Sequence, residues 1–207
     1  MAIKATKKGG EDFAPIEEGS YVGRIYQIIH IGTVMGFQGT MQNKVRLTFE
    51  LPTEMMVFKE ENGEQPRVIS QEYTLSFHEK ATLTKVINAC DPKALKVGDD
   101  GFMDEYDVEK LIGKACLVTV VHRKGKDEKV YANIGNCTVL PKGMTCPPAI
   151  NEPKILNYDN FDQEYFATLP QFIQDKIKSS DEYKAMFGKS KEEIEETDPF
   201  DMDDLPI

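Results

Sequence analysis

With 207 residues and 40% hydrophobic side chains, the chain is long enough for one domain plus appendages and apolar enough for a real core. Its net charge of −10 is unevenly placed: Lys191 to Ile207, reading KEEIEETDPFDMDDLPI, holds eight acidic residues against one Lys, a net of −7, which leaves −3 for residues 1–190. No apolar run approaches a membrane span, Met1-Ala2-Ile3-Lys4 opens no signal segment, and neither the dispersed Cys90, Cys116, Cys137 and Cys146 nor His30, His78 and His122 form a metal or disulfide pattern, so the expectation is a soluble intracellular protein with buried free thiols.

Residues 1–18 read as a flexible basic arm, with Lys4, Lys7 and Lys8 before a Gly pair. From Gly19 the stretch YVGRIYQIIHI is rich in β-branched and aromatic residues and predicts a long first strand running into Gly32. Strict alternation puts Val22, Arg24, Tyr26 and Ile28 on one face and Ile25, Gln27, Ile29 and Ile31 on the other. Neither face is purely polar, as befits a curved strand shared between two sheets. Residues 32–43 form a glycine-bearing loop, with neither a helix pattern after them nor a Gly-Lys-Ser/Thr to make a phosphate cradle.

The second strand, KVRLTFEL, alternates cleanly: Val45, Leu47, Phe49 and Leu51 inward, Lys44, Arg46, Thr48 and Glu50 outward, with Pro52 as its end. A polar connection through Arg67 leads to a third strand, VISQEYTLSF. Leu83, Val86, Ile87 and Cys90 then fall at helical spacing, and a second short helix is predicted over Asp104–Ile112. ACLVTVVH, the charged turn RKGKDEK and VYANIGNCTVL give a closing hairpin. Three strands, a helical insertion and a hairpin make the ground plan of the OB-fold: a mainly β, five-stranded barrel over residues 19–143, with the helix between strands three and four. Residues 144–188 should run extended and then form two short amphipathic helices, around Phe172, Ile173, Ile177 and Tyr183, Met186, Phe187, that pack on the barrel or on another copy of it. Residues 189–207 are expected to be a disordered acidic tail.

An enzyme would need a nucleophile with its base, a carboxylate cluster for metal or a phosphate loop, and none is recognisable. The carboxylate runs at Glu60, Glu61 and Glu64, and at Asp99, Asp100, Asp104 and Glu105, fall in apparent loops, where charge is usually solvated surface. No catalytic residue, cofactor or metal is therefore expected. The basic and aromatic residues form a more pointed constellation. Single-strand binding needs cations that track phosphates and flat side chains on which unstacked bases sit. Arg24 and Tyr26 on strand one, Phe37 in the first loop, Lys44 and Arg46 on strand two, and Arg123, Lys124, Lys126, Lys129 and Tyr131 at the last hairpin are the candidates. The tail's end adds a second surface. Phe200, Asp201, Asp203, Asp204, Leu205, Pro206 and Ile207 combine an acidic lead-in with an apolar tip, which suits a basic-rimmed pocket on another protein.

GRIYQIIHIGT at the start of the barrel, LIGKACLVTVVHRKGKDEKVYANI for the final hairpin and LPQFIQDKIKSSDEY after it resemble the single-stranded DNA-binding proteins of bacteriophages. The likeness covers most of the chain. To the bacterial proteins it is limited to the generic barrel and the end, where Asp203-Asp204-Leu205-Pro206-Ile207 is similar to their run of Asp before Ile-Pro-Phe. Ile207 stands where those tails carry an aromatic, and the chain has no Trp, on which members of the group often stack bases. The resemblance implies a non-enzymatic coat for displaced strands in replication, recombination and repair, located in the host cytoplasm if phage-encoded. Its tail would recruit partner proteins. Separately, the tail's charge of −7 leads to the expectation that it competes with DNA for Arg123, Lys124, Lys126 and Lys129 when no strand is bound. An assembly or protein-interaction module on an OB-like barrel is the alternative reading, and homo-oligomerisation is left open.

Overall fold

The alternating apolar residues of the chain assemble a mainly β structure. The computed structural model describes residues 13–36, 39–93, 105–125 and 128–188. Its strands are β1 (Gly19–Met35), β2 (Met41–Val57), β3 (Glu64–Thr74), β4 (Ala115–Lys124), β5 (Val130–Thr138) and β6 (Lys154–Leu156), and its helices are α1 (Thr82–Cys90), α2 (Gln163–Thr168), α3 (Gln171–Lys178) and α4 (Asp181–Phe187). The hydrogen-bonded order is β3-β2-β1-β4-β5, antiparallel throughout, with β6 added parallel to β1. Among the described residues no ladder joins β3 to β5, so the sheet is not closed. No described helix is long and apolar enough to cross a membrane.

β1 changes neighbours along its length. Gly19–Arg24 pairs with β4 and Arg24–Met35 with β2, so one strand turns the sheet's corner. Two register shifts, between Ile25 and Gln27 and between Ile29's neighbour His30 and Gly32, interrupt the simple alternation. An extra residue in one strand of a pair flips the side chains that follow it. Ile25 and Ile28 therefore both face the interior, while Ile29, Ile31 and Val34 are buried in a second cluster on the opposite face. The expected grouping of Tyr26 with Ile28 is corrected accordingly.

β2 continues beyond Pro52 to Val57. Pro52 is tolerated because it falls in the irregularity between Leu51 and Met55, where β2 has residues without opposite numbers on β3. Residues 33–35 and 41–43, expected in a loop, are paired strand. The predicted second helix is a single 3-10 turn over Val108–Leu111, capped by the Asp107 side chain.

The main core lies inside the curved sheet. Val45, Leu47, Phe49 and Leu51 from β2 meet Val118 and Val120 from β4, with Leu83, Val86 and Ile87 of α1 closing one side. Cys90, Cys116 and Cys137 are buried free thiols of this core, and Cys146 is half-buried. The Cys116 contact and burial push the Cys137 thiol well up. Ile16 also belongs to this core, so the end of the segment expected as an arm is packed where it is described.

The second cluster is built on the outside of the sheet, where Ile29, Ile31 and Val34 are covered by Leu156, Phe166, Leu169, Ile173 and Ile177. Burying each large aliphatic side chain contributes about 1.5–3 kcal/mol. Side-chain caps start two of the covering helices: Asp162 accepts from the Tyr165 N–H and Ser180 from the Tyr183 N–H. The half-buried Tyr158 hydroxyl, pushed up to about 12 chiefly by burial, sits 2.7 Å from Ser180 Oγ and donates to the Ile31 carbonyl.

Candidate nucleic-acid interface

The outer face of the sheet has a covered half and an open half. On the open side a groove of about 770 Å³ runs between β3 and the start of β5. Arg67, Val68 and Ser70 form one wall, Lys129, Val130 and Tyr131 the other, Arg46 reaches in from β2, and Phe13–Ile16 closes an end. Three of these lining residues are cationic and none is acidic. Tyr131 is 48% exposed, Phe13 39%, and Val68 and Val130 are also exposed. The Arg67 guanidinium donates to the Ala14 carbonyl, which holds the incoming chain against β3.

The placement follows from the strands. Pairing of Thr48 with Ser70 and of Arg46 with Glu72 puts the outward residues of β2 and β3 side by side. The β4–β5 pairing sets Arg123 opposite Tyr131 and Lys124 opposite Val130, and of this hairpin Lys129, Val130 and Tyr131 line the groove. Arg46 is half-buried, with burial pulling its guanidinium pKa down against the opposing pull of Glu72. It lies 3.9 Å from Glu72 and over the Phe172 ring at 5.8 Å from the centroid.

The covered half accounts for other candidates. Arg24 lies 3.3 Å from Glu50, a carboxylate with no exposed surface, and its guanidinium also donates to the Pro147 carbonyl. Glu50 further accepts from the backbone N–H of Ile150 and from the N–H and side-chain amide of Asn151. This buried carboxylate clamps residues 147–151 over strands β1 and β2. Tyr26 lies beside the same segment, and burial, with Glu50 adding to it, raises its phenol pKa. Arg24 and Tyr26, expected on an open binding face, are instead elements of the clamp.

A polar relay lies next to them. Ser70 donates to Thr48, Thr48 to Gln27, and Gln27 to Tyr165 on α2. Lys44 is half-buried opposite Thr74 and does not line the groove. Arg123 is exposed and borders a smaller cleft of about 320 Å³ with Lys85 and Tyr73. Lys124 is exposed at the end of β4. Phe37, Lys126, Asp99, Asp100, Asp104 and the tail residues Phe200, Asp201, Asp203, Asp204, Leu205, Pro206 and Ile207 lie outside the described residues.

The groove thus brings together the candidates Arg46, Lys129 and Tyr131 and adds Arg67 and Phe13, which are not among the candidates. Arg67 was legible only as the end of a polar connection, because β3 begins at Glu64 rather than at Val68. Glu60 and Glu61 sit in an exposed 3-10 turn, where Glu61 pairs with Lys59 at 3.8 Å. Among the described residues no group of three His, Cys, Asp or Glu side chains is positioned to hold a metal. No protein-family model matches the chain, and no curated protein matches it significantly.

Proposed function

We propose that the protein binds and coats single-stranded DNA without strong sequence preference, on an open OB-like barrel whose binding groove lies between β3 and the β4–β5 hairpin. The observation that carries this reading is the groove itself: among its described lining residues Arg46, Arg67 and Lys129 accompany an exposed tyrosine, and none is acidic. Cations at the walls neutralise phosphates, and the Tyr131 ring offers a base a face that any of the four can use. The strand order supports the barrel assignment, since β1 lies between β2 and β4 and the helical insertion separates β3 from β4, as in an OB-fold.

Titration of labelled oligo-dT tests the proposal. Three groove cations predict a log-log salt slope of about −2, at about −0.7 per neutralised phosphate. Absence of binding at low salt, or equal affinity for duplex, would overturn it. In this reading the tail ending in Asp203-Asp204-Leu205-Pro206-Ile207 recruits replication or recombination proteins, and deletion of residues 191–207 tightens oligo-dT binding most at low salt.

The apolar part of the groove, Phe13, Val68 and Val130, favours a second reading, a protein-interaction or assembly module. Purification with a stoichiometric protein partner and no nucleic acid, together with a null oligo-dT titration, selects it over the first.

A further inference from the structure

The groove does not end at Arg46. Beyond it, helix α3 presents Phe172, which at 61% exposure is the most exposed aromatic side chain among the described residues. Burial of a phenyl ring normally adds a large favourable contribution, so one left this open on an ordered helix is available to a ligand. Its neighbours Ile173 and Ile177 are buried in the second core, which fixes the helix and holds the Phe172 ring outward.

Three linked charged groups begin at this ring. The Arg46 guanidinium lies over it. Glu72 on β3 receives both that guanidinium, at 3.9 Å, and the Lys176 ammonium one turn along α3. The Arg46, Lys176 and Glu72 side chains are 19%, 34% and 22% exposed, so none is sealed from solvent. A carboxylate held between an Arg and a Lys occupies the position that a phosphate oxygen would take, and a phosphate brings more charge and more acceptors to the same two donors.

We propose that Phe172, Arg46 and Lys176 form a second nucleotide subsite, in which Phe172 stacks a base and the two cations exchange Glu72 for that nucleotide's phosphate. The inference rests on the groove being a single-strand site and extends it onto a C-terminal helix. The bound strand then runs from Tyr131, past Arg46, onto α3. Arg46 belongs to both parts and sets their order. Glu72 keeps the cations ordered when no strand is present.

The chain contains no Trp, so a single substitution creates a silent background for fluorescence. Phe172→Trp and Tyr131→Trp are titrated separately with oligo-dT, in the full chain, and emission is followed. Stacking on a base should quench both. Phe172→Ala should weaken oligo-dT binding by about tenfold, within the range of one lost base stack. Lys176→Ala should reduce the salt slope by about 0.7. Glu72→Gln should tighten binding severalfold and leave the slope's sign unchanged. Thermal melts of each variant show whether α3 has stayed docked, and Phe172, being exposed, should melt as the parent does when replaced.

Quenching at position 131 with none at 172, and parental affinity for Phe172→Ala, overturns the subsite and leaves the groove standing. No response at either position, with no oligo-dT bound by the parent, removes both.

Discussion

The two halves of the outer sheet face carry the same residue type to opposite ends. On the covered half Arg24 is held by Glu50 and a backbone carbonyl beneath residues 147–151. On the open half the Arg67 guanidinium donates to the Ala14 backbone carbonyl, in a groove whose described lining residues include no carboxylate. Charge alone therefore does not place an arginine in the groove. What separates the two is whether a buried acceptor with several donors claims the guanidinium first. A fully desolvated carboxylate must be surrounded by donors, and Glu50 collects them from Arg24, Ile150 and Asn151, which turns a sheet face into the seat of a chain segment.

Breaking the clamp should have the largest effect. Glu50→Ala leaves Arg24 buried without its carboxylate, at a cost of about 3–5 kcal/mol for a broken buried pair. A chain of this size should then melt roughly 10 °C lower, by circular dichroism. Arg67→Ala, on the open half, should leave the melt nearly unchanged, so equal losses in the two variants would erase the distinction between the halves.

The next effect concerns Gly32. Its φ of +87° is a conformation that side-chain-bearing residues avoid, and a Cβ there would lie 2.6 Å from Glu182 Oε2 and 2.8 Å from Ser180 Cβ. Gly32→Ala should cost about 1–3 kcal/mol and loosen α4 from β1. Limited proteolysis near residues 178–188 should accelerate. Cleavage at the parental rate would show that α4 tolerates the intrusion.

Glu182 makes the same contact sensitive to acid. Burial works against its ionisation, but bonds from the Thr33 N–H at 2.6 Å and the Thr33 hydroxyl at 2.7 Å outweigh it, and His30 helps, so its pKa lies below the ordinary carboxylate value. A group depressed in the folded state stabilises above its unfolded pKa, about 4.3 for Glu, and loses that contribution as pH falls through the lower folded value. The melting temperature of the parent should fall over this acidic window. Glu182→Gln should flatten that part of the profile. An identical profile in the variant would assign the acid sensitivity to other carboxylates.

The smallest stability change of these variants belongs to Arg67, and its effect is functional. Arg67→Ala should weaken oligo-dT binding about fivefold and lower the salt slope by about 0.7, with duplex affinity little altered. Unchanged affinity beside a bound parent strand would move the groove elsewhere on the sheet.

Much of the fold was legible because its signal is local. The alternation of Val45, Leu47, Phe49 and Leu51 is enough to orient β2, and the spacing of Leu83, Val86, Ile87 and Cys90 is enough to place α1. The β1 faces were not legible, since a bulge at Tyr26 changes parity without leaving a Gly or Pro at that point. Pro52 misled for the converse reason: a strand stop by rule, it sits where the ladder is already interrupted. Of the site, Tyr131 and Lys129 were visible as a basic, aromatic hairpin. Arg24 was misplaced because its partner Glu50 is a distant residue whose burial depends on a segment about a hundred positions further on, as the Ile150 and Asn151 contacts show. Helix α2 escaped because its six residues give too short a period to read, and only its packing of Phe166 makes it worth forming.

Strand β6 gives the molecule an order of assembly. Gln27–Ile29 of the first strand finds its parallel partner only in Lys154–Leu156, and Ile29 and Ile31 are roofed by helices made later still. The five-strand sheet can therefore pair before its outer isoleucines are covered, and a chain in that state would offer bare apolar surface to a chaperone. A product cut short before residue 154 would keep the groove and lose the roof.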